Sequence, residues 1–101
     1  MCGMVSFDQQ RAILHVTGDE DASTVSRRRP PLSTALRATR DVIVDLSDLR
    51  FADSTLMLDL AVLAQRLRKE GARLLLCAPQ PQVRFLIERM GLDRQPAVQL
   101  V

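Results

Sequence analysis

Apolar positions change their spacing several times along the chain, and each change marks an element. Val5–Phe7 and Ala12–Thr17 alternate with polar neighbours on either side of Asp8-Gln9-Gln10-Arg11, which predicts a hairpin. Ile13, His15 and Thr17 then share one face of its second strand, and Ala12, Leu14 and Val16 the other. Val42-Ile43-Val44-Asp45-Leu46 is a β-branched run of the kind found in strands buried on both faces, and Ser47-Asp48-Leu49-Arg50 ends it with turn residues. From Ser54 the period becomes helical. Leu56, Leu60, Leu63, Ala64 and Leu67 fall on one stripe, with Asp59, Gln65, Arg66, Lys69 and Glu70 opposite and Gly71 placed to stop the helix.

Arg73–Ala78 reads as another buried strand, joined to the first through the helix as a parallel crossover. Pro79-Gln80-Pro81 opens a further helix whose stripe is Val83, Leu86, Ile87 and Met90, closed by Gly91, and Val98–Val101 predicts a last short strand. The segment between Ala22 and Thr39 is the irregular one. Pro30 and Pro31 follow Arg27-Arg28-Arg29, and a proline both lacks the N–H donor and disfavours α conformation before it. The expectation is an irregular or short-turn stretch over 21–29, then a helix from Pro30 or Pro31 to about Ala38 with Leu32, Ala35 and Leu36 inward. The three arginines read as a solvated charge run, against the sharper reading of a grip on an acidic partner or a phosphate.

Composition narrows the class. The 101 residues make one domain, 1–101, with 47% hydrophobic content and only three aromatics, so Leu, Val, Ile, Ala and Met must build the core. A net charge of +2 without aromatics set in a basic stripe gives no argument for nucleic acid. No apolar run is long enough to cross a bilayer, and MCGMVSFDQQ lacks the basic and apolar regions of a signal peptide, so a cytoplasmic protein without membrane insertion is expected. Cys2 and Cys77 lack metal-ligand spacing; Cys77 reads as a small core residue, Cys2 as a terminal one, and a disulfide between them as the lesser alternative. His15 has no Ser, Cys or carboxylate tied to it by motif, and the four glycines are scattered rather than gathered in a phosphate loop. No enzyme, metal or cofactor is indicated.

The chemistry that remains lies between strand and helix, in Phe51-Ala52-Asp53-Ser54-Thr55. Two readings stand. Asp53, Ser54 or Thr55 can simply cap the unpaired N–H groups of the helix start. Alternatively, Ser54 is a displayed hydroxyl where a phosphate would add about −1.5 to −2 charge at the positive end of the helix dipole. Thr55 offers a second hydroxyl in the same turn. Thr17-Gly18-Asp19-Glu20-Asp21 reads as a solvated acidic loop that caps whatever helix follows.

The run Val-Ile-Val-Asp-Leu-Ser-Asp-Leu-Arg-Phe-Ala-Asp-Ser-Thr with an apolar helix behind it resembles a STAS domain (sulfate transporter and anti-sigma factor antagonist). So do Arg66–Leu76, Pro81-Gln82-Val83-Arg84, Met90-Gly91-Leu92 and Thr17–Asp21, which extends the resemblance over nearly the whole chain. It implies an α/β STAS fold: a mixed sheet of four to five strands with helices mainly on one face. The family's usual final helix has no counterpart after Val101, so the apolar patch it covers elsewhere is expected at the surface, or in a homodimer or partner interface.

Among the family's anti-sigma factor antagonists the motif is close to Asp-Ser-Ser-Gly, and the Ser after Asp is phosphorylated. The resemblance therefore implies Ser54 as acceptor, with Thr55 as the alternative, and Leu56 where Gly is usual. It implies a partner surface of Asp19, Asp21, Asp53, Ser54, Thr55 and Leu56, the bulk of Leu56 standing where a kinase backbone approaches. The implied partner is an anti-sigma factor with a histidine-kinase-like ATPase fold, which acts as a serine kinase and is opposed by a phosphatase. The alternative is a constitutive STAS accessory subunit of a transporter or sensory complex, and a nucleotide-binding STAS module is a weaker third.

Overall fold

The computed structural model describes residues 3–101, so the expectations for Cys2 lie outside the described residues. Strands β1 (Met4–Asp8) and β2 (Ile13–Glu20) form the antiparallel hairpin; β3 (Val42–Asp45), β5 (Leu74–Cys77) and β6 (Val98–Leu100) extend it with parallel pairings in the order β1-β2-β3-β5-β6. A sixth strand, β4 (Leu49–Ala52), pairs in parallel with the far end of β2. Three α-helices, α1 (Val25–Ala35), α2 (Ser54–Lys69) and α3 (Pro81–Met90), alternate with the strands. The expected mixed α/β architecture is present.

The core follows from strand alternation. Leu14 and Val16, Val42 and Val44, and Leu74 and Leu76 point to the helical side and are buried, where they cluster with Leu56, Leu60, Leu63 and Leu67 of α2 and with Val83 and Ile87 of α3. The other sheet face is half-buried. There the register sets His15 beside Asp45 and Asp45 beside Cys77. His15 Nδ1 lies 3.4 Å from Asp45 Oδ2. Cys77 is a half-buried free thiol on this face rather than a core residue, and burial followed by the Asp45 charge raises its pKa.

The helix ends obey their local chemistry. Gly71 takes φ 71° past the end of α2. Its N–H donates to Arg68 O and that of Ala72 to Leu67 O, the paired bonds of a Schellman stop. Pro81 opens α3 and Gly91, at φ 75°, closes it. The α3 stripe holds except at Met90, which is 40% exposed.

Two segments depart from expectation. The first is α1, which runs from Val25 straight through Pro30 and Pro31, preceded by a 3-10 turn over Ala22–Thr24. Each proline removes the one helical hydrogen bond that its own N–H would have made, to the carbonyls of Ser26 and Arg27, and both of those residues lie at the surface, where water can reach them. What holds the first turns of α1 is a side chain, Arg28. The second departure is at residues 47–52. A turn at Ser47-Asp48, closed by Ser47 donating its N–H and hydroxyl to Asp45 Oδ1, is followed at once by β4. Only Leu49 of that strand is buried, so its sequence carries no alternation to read.

Candidate functional site at the start of the central helix

Residues 19–22 and 53–55 meet at one edge of the domain. The strand β2 does not end at Thr17; it continues through Gly18, Asp19 and Glu20, paired with β4, so the acidic segment is a strand end and not a solvated loop. Asp19 lies beside Phe51 and Glu20 beside Ala52 in the register. Asp53 then donates its N–H to Glu20 O at 3.1 Å. Asp21 caps the 3-10 turn: its Oδ1 accepts from Ser23 N at 2.8 Å, while Thr24 Oγ1 accepts from Asp21 N at 3.1 Å.

Asp53 is the N-cap of α2, with its backbone extended. Its Oδ1 accepts from the N–H of Thr55 at 2.9 Å and from the Thr55 hydroxyl, and its Oδ2 accepts from Ala22 N at 3.1 Å. One carboxylate thus caps the helix and ties it to the acidic segment. Burial pushes the Asp53 carboxyl upward, but the hydrogen bonds from Thr55 and Ala22 and the charge of Arg28 together hold it below the ordinary value.

Behind this edge lies a buried ionic cluster. Arg28 is only 1% exposed and Glu20 also 1%. The guanidinium Nε donates to Asp59 Oδ2 at 2.7 Å, Nη1 to Glu20 Oε1 at 3.1 Å, and Nη2 to Thr55 Oγ1 at 2.9 Å. Nη1 also reaches Thr24 Oγ1 and Asp21 O, both at 3.2 Å, and Thr24 donates its hydroxyl to Glu20 Oε1 at 3.0 Å. A guanidinium tolerates burial only when its fork of donors is matched by acceptors. Here two carboxylates, two hydroxyls and a carbonyl supply them. Glu20 is hemmed in further by Gly3, where an added Cβ would stand 1.9 Å from Oε2.

The cluster separates the two hydroxyls. Thr55 Oγ1 donates to Asp53 and accepts from Arg28, so both its roles are taken. Ser54 is exposed, at the first position of α2, and its hydroxyl has no partner among the described residues. Leu56, by contrast, is 1% exposed and packs in the core; it does not stand in the path of an approaching backbone, and it drops out of the surface around Ser54. Asp19, Asp21, Asp53 and Thr55 are half-buried at this edge. Exposed apolar side chains flank it: Phe51 at 51% and Leu58, one turn along α2, at 59%.

The residues absent from the sequence-based set are Glu20, Thr24, Arg28 and Asp59. Two helical spacings signalled three of them, Thr24 to Arg28 and Thr55 to Asp59, each four residues apart and so on one helix face; Glu20, at the end of β2, had no such signal. The first was hidden because the prolines argued against any helix over 24–28. Of the three arginines, Arg27 and Arg29 are at the surface and Arg28 is inside.

Among the described residues no helix is long and apolar enough to cross a membrane, and no group of His, Cys, Asp and Glu could hold a metal ion. A comparison with curated proteins found no match. Solved structures match across the whole fold. Unphosphorylated SpoIIAA, described as an anti-sigma factor antagonist, aligns with TM-score 0.73 at 23% identity, covering 99% of this chain and 88% of that one. The phosphorylated form, described as a Bacillus cell fate determinant, aligns with TM-score 0.63 at 23% identity over 99% and 91%. An anti-sigma-factor antagonist (STAS) domain protein from Planctomyces limnophilus gives 0.71 at 16% identity over 97% and 88%. At these identities the likeness is one of fold. The STAS domain family model matches residues 5–100, nearly the full length, and the chain belongs to the STAS domain family.

Proposed function

We propose that the chain is an anti-sigma factor antagonist whose docking to an ATPase-like serine-kinase anti-sigma factor is governed by the charge on Ser54. The observation that carries this reading is the division of labour in the first turn of α2: Thr55 is locked, while Ser54 offers a free, exposed hydroxyl. A kinase can reach that oxygen without breaking any internal bond. The γ-phosphoryl group of ATP would pass to Ser54 Oγ, leaving ADP, with the hydroxyl proton taken by the kinase.

The arginine bonded to Thr55 is not available to that phosphate. Arg28, the cation of this edge, is buried and already shared between Glu20 and Asp59. Asp19, Asp21 and Asp53 are nearby anions on the same edge. A doubly charged group is therefore directed outward into the partner surface, where like-charge repulsion and desolvation cost weaken docking. Phe51 and Leu58 would supply the apolar part of that interface, and a phosphatase would restore it.

The test is to incubate the protein with ATPase-like anti-sigma factors and ATP and to map phosphate by mass spectrometry. Phosphate on Ser54 with loss of the complex is expected. Ser54→Ala should bind constitutively, and Ser54→Asp should bind at least about tenfold more weakly. A constitutive docking subunit is the second reading, favoured by exposed apolar side chains that need no phosphate to bind. Equal binding by Ser54→Ala and Ser54→Asp would select it.

A further inference from the structure

A second surface lies away from Ser54, between α1 and α2. Cavities of about 170 Å³ and 410 Å³ adjoin there, sharing Leu36 and Val62 in their linings. Leu32 and Leu36 of α1 and Val62 of α2 form an apolar floor, and Val62 is left 55% exposed. Arg29 and Arg37 stand along the α1 side, Arg66 and Lys69 along the α2 side. All four are exposed, and none has a side-chain partner among the described residues. The one acid at this groove, Asp59, is held by Arg28 at 2.7 Å. From Asp59 to Lys69 the α2 wall runs roughly 15 Å, the length of a helix of about ten residues.

Helix dipoles account for cations near helix C-termini, and so for Arg66, Lys69 and Arg37. They do not account for Arg29 in the first half of α1, or for an aliphatic side chain left open between two rows of unpaired cations. Charge complementarity does. We propose that this groove docks an acidic amphipathic helix of a protein partner: its apolar stripe lies on Leu32, Leu36 and Val62, and its carboxylates face the four cations. The inference does not depend on the reading of Ser54.

The probe is a synthetic helical peptide of about fourteen residues with Leu on one stripe and Glu elsewhere, titrated into isotopically labelled protein by NMR. Saturable shifts are expected at α1 and at residues 59–69 of α2, with affinity falling as salt rises. Arg29→Glu and Arg66→Glu, both at exposed positions, should each weaken binding about tenfold, as should Val62→Asp. Arg37→Glu, beyond the end of α1, serves as a further variant should one of these disturb folding by circular dichroism. Ser54→Asp should leave the peptide affinity unchanged, which separates this test from that of the phosphorylation site. The proposal is overturned if the groove amides do not shift, or if an isomeric peptide with its apolar stripe scrambled binds equally well. It is equally overturned if single-stranded DNA or a second copy of this chain occupies the same amides more tightly than the acidic helix.

Discussion

Arg28 and Arg29 are chemically identical neighbours with opposite fates, and the difference is one of acceptors. Arg28→Met would leave Glu20, 1% exposed, without its cation and would unfasten Thr55 and Asp59. Removing one partner of a buried pair typically costs about 3–5 kcal/mol, since the remaining charge stays desolvated. Arg29→Met removes an exposed charge and should shift stability by no more than about 0.5 kcal/mol. Urea denaturation of the two variants measures the contrast; equal midpoints would mean that Glu20 finds water once Arg28 is gone. From sequence the triplet looked uniform because burial depends on helix register, and the prolines had masked the helix. Ser54 was legible for the opposite reason. A cap-type residue between a β-branched strand and an amphipathic helix can be located without any tertiary contact, whereas the difference between an exposed Ser54 and a Thr55 held by Asp53 and Arg28 exists only in the fold.

Elements with their own periodicity, the strands at 13–17, 42–45 and 74–77 and the helices at 54–69 and 81–90, were readable because each buries one side against the core. Strand β4 was not, since its pairing with β2 is a long-range contact and three of its four residues escape burial. Connections carry their own strain. Ala78, between β5 and α3, adopts φ 54° and is exposed. A side chain in the left-handed region costs about 1 kcal/mol, so Ala78→Gly should raise stability by roughly 0.5–1 kcal/mol, read as a higher melting temperature. At the other end of the crossover, Asp53→Ala removes the cap of α2 and its tie to Ala22, and should cost about 1–2 kcal/mol. The same carboxylate makes the junction acid-sensitive. Its folded pKa lies below the ordinary 3.8, so its contribution is complete above that value. It is lost as the pH falls through the lower, folded value. In Asp53→Ala this part of the acid dependence below pH 3.8 should disappear from denaturation curves measured across that range.

At the scale of the whole molecule, two surfaces differ in sign: an acidic edge holding Asp19, Asp21, Asp53 and Ser54, and the groove lined by Arg29, Arg37, Arg66 and Lys69. That difference decides how a phosphate on Ser54 can be read. A switch acting by refolding would need a cation able to leave its present partner and reach the phosphate. Arg28 is bonded to the neighbouring Thr55, but it would have to abandon carboxylates at 2.7 and 3.1 Å, one of them fully buried. The gain from the helix dipole, about 0.3–1 kcal/mol, is too small to drive that and is opposed by the neighbouring carboxylates. The fold should therefore stay as it is and the added charge act only at the surface. Ser54→Asp is expected to unfold within about 0.5 kcal/mol of the parent protein, with amide shifts confined to residues 19–22 and 51–59. Shifts spreading through the sheet, or release of the Arg28 side-chain resonances, would show that the ionic cluster itself is the switch. Silence outside the acidic edge places the response in the partner.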